Sequence, residues 1–68
     1  MEIRRRVGRN IKAVREEKGW SQEELAERAQ LHRTYVSGVE RGVRNPTLTV
    51  LERFAGALKV TIGSLTDA

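Results

Sequence analysis

The chain has 68 residues, with 13 Lys or Arg against 9 Asp or Glu, a formal charge of +4 and a pI of about 10.4. That leaves room for one small domain spanning 1–68 with one modest core, and a basic balance that suits a polyanionic partner. The absence of cysteine and the single histidine, His32, leave no disulfide and no self-sufficient metal site. No apolar run approaches membrane length, so a cytoplasmic protein with no membrane partner, cofactor or small-molecule ligand is expected.

Residues 2–18 read as a first helix, because Ile3, Val7, Ile11 and Val14 recur at helical spacing and Gly19 supplies a stop. The same stretch carries Arg4, Arg5, Arg6, Arg9, Lys12, Arg15 and Lys18. Arg4 to Arg6 suit either a solvated face or a non-specific phosphate contact. Gly8 inside the pattern weakens the helix by roughly 1 kcal/mol relative to Ala, so a frayed first turn is expected.

Ser21 is a good N-cap, and Glu24 three residues on completes a Ser-x-x-Glu capping box. Trp20 and Leu25 have the spacing of a hydrophobic staple. A second helix follows from Gln22 to about Ala29, with Leu25, Ala26 and Ala29 on one face. Leu31 and Val36 repeat the staple spacing around His32, so a third helix starts at Arg33 and ends at Arg41. Gly42 then suits the left-handed residue just past a helix. Two helices about three residues apart, over roughly 21–42, have the spacing of a helix-turn-helix, whose second helix enters the DNA major groove.

Pro46 keeps Val43-Arg44-Asn45-Pro46 out of helix, and Thr47 caps a fourth helix over Leu48–Leu58. Leu48, Leu51, Ala55 and Leu58 form its apolar stripe. A short fifth helix starts after Thr61, with Val60 and Leu65 at staple spacing. No strand alternation, repeat or low-complexity linker occurs. The fold class expected is all-α: a compact bundle of four to five short helices containing a helix-turn-helix.

In such a motif the first residues of the second helix meet base edges. Arg33, Thr34, Ser37 and Gly38 are therefore the candidates for base readout. Arg33 has the paired donors that guanine O6 and N7 accept. Thr34 offers a methyl to thymine or a hydroxyl to phosphate, and Ser37 shares the face because it lies three to four residues on. Gly38 in mid-helix implies a close approach by some other group. Tyr35 is open between a phosphate contact and burial against Trp20. Arg41, Arg44, Asn45 and Thr47 surround the next helix start and are candidate phosphate contacts.

The strings S-Q-E-E-L-A, L-H-R-T-Y-V-S-G-V-E-R-G and R-N-P-T-L resemble the lambda-repressor-like (Cro/CI, or XRE) DNA-binding domains, from about Val7 to Leu65. The string R-T-Y-V-S-G-V-E-R-G is most similar to controller proteins of restriction-modification systems. The resemblance implies a phosphate contact for Gln22, at a helix start where backbone N–H groups favour anions. It implies an ion pair between Arg15 and Glu40. It also implies a homodimer built on the fourth and fifth helices, with Val50, Phe54, Ile62 and Leu65 at the interface. His32 departs from the pattern, because Ser, Asp or Thr usually stands at that cap and histidine caps less well.

The function expected is a transcriptional regulator binding a pseudo-palindromic operator in double-stranded DNA as a homodimer. An antitoxin-like interaction module with secondary DNA binding is the alternative. An enzyme is not expected, since no His-carboxylate cluster or Gly-rich phosphate loop occurs.

Overall fold

Helices form where apolar periodicity and caps coincide in the sequence. The computed structural model describes residues 2–67 and holds α1 (Ile3–Glu17), α2 (Gln22–Ala29), α3 (Arg33–Glu40), α4 (Leu48–Leu58) and α5 (Ile62–Thr66). Each helix begins at a side-chain cap. The Ser21 hydroxyl accepts the Glu24 amide at 3.0 Å, Thr47 accepts that of Val50 at 3.2 Å, and Thr61 that of Ser64 at 3.1 Å. Only part of the expected capping box forms. The Glu24 carboxylate pairs with Arg28 Nε at 2.6 Å, one turn on, where an i,i+4 ion pair is favoured.

The caps the sequence reading missed are the less usual ones. Glu2 starts α1, accepting from the Arg4 amide, and its hydrogen bond to the Arg4 side chain holds its carboxyl below the ordinary carboxylate range. Gln30 and Lys59 end α2 and α4 in the left-handed conformation, each at φ 59°. Polar side chains there gave no glycine signal to read. Gly42, at φ 77°, occupies the expected left-handed position, although α3 itself stops one residue early, at Glu40.

The core draws on every helix. Ile11, Leu25, Val36, Val39, Phe54, Leu58 and Leu65 are fully buried, each worth about 1.5–3 kcal/mol of transfer free energy. Two expectations about α4 are corrected here. Its inward stripe is Leu51, Phe54, Ala55 and Leu58, whereas Leu48, in the first turn, is 75% exposed. Phe54 therefore completes the i, i+3, i+4, i+7 face, and Leu48 lies beyond the neighbours that cover the rest.

α1 and α3 cross tightly at Gly8. A β-carbon there would lie 2.2 Å from the Val39 carbonyl oxygen and 2.7 Å from that of Glu40. The glycine is thus a packing requirement, and α1 runs through it unbroken instead of fraying. α1 is also tied down elsewhere. Arg6 Nε donates to the Thr66 carbonyl at 3.0 Å, and Asn10 Nδ2 donates to the Leu65 and Asp67 carbonyls at 2.9 and 2.7 Å. Gly8→Ala is expected to destabilise the protein by about 1–3 kcal/mol, despite the better helix propensity of alanine. A denaturant midpoint equal to or above that of the parent would show that the crossing relaxes freely.

Candidate nucleic-acid interface

The surface formed by the starts of α2 and α3 is open and polar. Arg33 and Thr34 are exposed and Ser37 half-exposed, one turn further along the same face of α3. With Gln22 they line one shallow concavity. The backbone amide of Thr34 is capped by His32 Nδ1 at 3.2 Å. The imidazole, unassigned from sequence, thereby closes the first turn of α3 and leaves the side chains of Arg33 and Thr34 pointing outward.

Behind this surface lies a charged brace. Arg15 reaches Glu40 with two parallel bonds, Nε to Oε2 at 2.7 Å and Nη2 to Oε1 at 3.0 Å. Both residues are 8% exposed. Arg15 Nη1 also donates to the Trp20 carbonyl at 2.7 Å, and Gln22 Nε2 donates to Glu40 Oε1 at 3.0 Å. The carboxylate raises the guanidinium pKa still further above its ordinary range. This bidentate geometry ties α1, the α1–α2 connection, the start of α2 and the end of α3 to one another. Gln22 spends one amide hydrogen on Glu40, and its second has no partner among the described residues.

The remaining candidates divide. Arg41 is the exposed C-cap of α3, and Arg44, Asn45 and Thr47 are exposed beside the start of α4. Thr47 uses an oxygen lone pair as the α4 cap and keeps its O–H to donate. Tyr35 is half-buried, with the Arg44 guanidinium 5.9 Å from its ring centroid. The cations over Trp20 are Arg28 at 4.2 Å and Lys18 at 5.4 Å. Gly38, unlike Arg33 and Thr34, is not exposed. It is buried, and Arg44 lies across the space a side chain would fill. The N-terminal arginines are engaged internally too: Arg4 with Glu2 at 2.6 Å, Arg6 with Thr66, and Arg5 packed over Gly42.

The expected dimer surface also needs revision. Phe54 and Leu65 are 0% exposed within the single chain and cannot contribute contact area to another. Leu65 belongs to the core, and Asn10 on α1 also holds its carbonyl. Val50 and Ile62, on the same two helices, are partly buried against the core and keep some exposed surface.

Residues 11–65 match the family model described as Helix-turn-helix. The chain belongs to this family. It is 44% identical over 59 residues to the immunity repressor protein of Bacillus phage phi105, covering 87% of this chain and 41% of that protein. It is 40% identical over 62 residues to the HTH-type transcriptional regulator SinR of Bacillus subtilis, covering 90% of this chain and 56% of the relative. The helix-turn-helix chain thus spans about half the length of these curated relatives. Among solved structures, SinR in complex with DNA superposes with a TM-score of 0.86 at 40% identity, covering 90% of this chain and 98% of that one. The restriction-modification controller protein C.AhdI of Aeromonas hydrophila gives 0.88 at 40% identity, covering 91% and 94%. Among the described residues no helix is long and apolar enough to cross a membrane, and no group of His, Cys, Asp or Glu is arranged to hold a metal.

Proposed function

We propose that this chain is a sequence-specific transcriptional regulator, and not an enzyme, that lays α3 in the major groove of double-stranded DNA. The observation that carries the reading is the shared open face of Arg33, Thr34 and Ser37, braced from behind and flanked by Gln22. Arg33 takes a guanine, Thr34 and Ser37 meet neighbouring base edges, and Gln22, Tyr35, Arg41, Arg44, Asn45 and Thr47 grip the backbone on either side. The protein acts as a homodimer on a pseudo-palindromic operator, with Val50 and Ile62 on the facing helices. Similarity to C.AhdI, together with the α3 string, supports a controller-type regulator.

Arg33 decides the reading. Arg33→Ala is expected to cost about 1–3 kcal/mol on the cognate operator and to relax the preference at one base position. Affinity for random DNA falls much less. Titration against single-base operator variants separates this from a phosphate contact, which weakens cognate and random DNA alike. A mutant that keeps the parent's ranking of variants would remove Arg33 from base readout.

A further inference from the structure

Gly38 sits where a helix suffers most from lacking a side chain, and the structure gives the space a purpose. Its carbonyl accepts the amides of both Val43, at 2.9 Å, and Arg44, at 3.1 Å, so the chain doubles back over the end of α3. Arg44 then lies against the helix. A β-carbon on Gly38 would stand 2.6 Å from Arg44 Cγ and 3.6 Å from its Cβ and Nε. The guanidinium carbon ends 5.9 Å from the ring centroid of Tyr35, three residues before the glycine on the same face of α3. Glycine notch, tyrosine ring and doubled carbonyl together hold the stem of an arginine whose head remains exposed to solvent.

We propose that Gly38 and Tyr35 form a seat that orders Arg44 before DNA arrives, making Gly38 a positioning residue for a phosphate-gripping arginine. An exposed arginine ordinarily loses rotamer freedom when it engages a ligand, and a side chain held in place beforehand loses less. The seat also explains why the stem of the loop arginine lies along α3 although the residue stays exposed. Its DNA half rests on the function proposed above. Its free-state half does not.

Two measurements test it. In the unbound parent, the Arg44 side-chain protons should show NMR shifts displaced by the Tyr35 ring current and cross-peaks to the Gly38 α-protons, and the ring-current displacement should be lost in Gly38→Ala. Unshifted Arg44 lines in the parent would overturn the seat whether or not the variant folds. For binding, Gly38→Ala should weaken cognate and random DNA alike by roughly three- to tenfold and flatten the dependence of affinity on salt by about one ion. Its melting temperature should change little, because the stem that must shift belongs to an exposed side chain and the better helix propensity of alanine offsets part of the cost. In an Arg44→Ala background the same substitution should change binding no further. Additive losses, or a preference lost at one base with the salt dependence intact, would instead put Gly38 against the bases. Failure of the parent to bind either DNA would remove the regulator reading, and the NMR shifts would still judge the seat.

Discussion

Glu40→Ala is expected to cost about 3–5 kcal/mol, since it strands the Arg15 guanidinium in a site built for a carboxylate. A chain of 68 residues has a total stability on the order of 3–10 kcal/mol, so the loss takes a large fraction of it. Arg15→Ala should behave similarly, because it leaves the Glu40 carboxylate, 8% exposed, with Gln22 alone for a partner. Removing both charges, as in Arg15→Ala with Glu40→Ala, should cost clearly less than the sum, because no charge is then left buried. Urea unfolding of the four proteins measures the coupling. Additivity within error would mean that each residue acts through separate contacts and that the bidentate pair contributes nothing of its own.

The brace shows where sequence reasoning succeeded and where it stopped. The helices were legible from their apolar spacing, and α2, α4 and α5 also from their Ser and Thr caps. The Arg15–Glu40 pair came from family resemblance alone, since no periodicity connects residues 25 positions apart. Gly8 was misread because propensity counts only what a helix loses from glycine, whereas the packing partner 31 or 32 residues away decides its sign. The expected stripe of α4 holds three of its four inward residues but includes Leu48, which the fold leaves 75% exposed, in place of the fully buried Phe54. Arg44 was singled out as a phosphate contact, but its bed on Gly38 depends on a chain reversal after Gly42 that only coordinates display. In each case, local signals were readable and contacts between distant segments were not.

Operator spacing should have the larger effect on binding. If two copies pair through the outer sides of α4 and α5, their recognition helices stand about 34–36 Å apart and meet half-sites one turn of DNA from each other. Inserting about five base pairs between the half-sites turns one of them to the opposite face of the duplex. Affinity should then fall toward that of a single half-site, on the order of 10²–10⁴-fold, because the second contact no longer profits from the first. A further insertion bringing the total to about ten base pairs restores the facing but lengthens the gap by one helical pitch. A dimer joined through packed helices cannot follow, so binding should stay weak, whereas two domains on a flexible tether would recover. Ile62→Glu provides the matching change in the protein: it should weaken binding to the paired site and leave the single half-site untouched. Monomers that bind independently would be indifferent to both insertions and to Ile62→Glu, and that result would remove the homodimer from the mechanism.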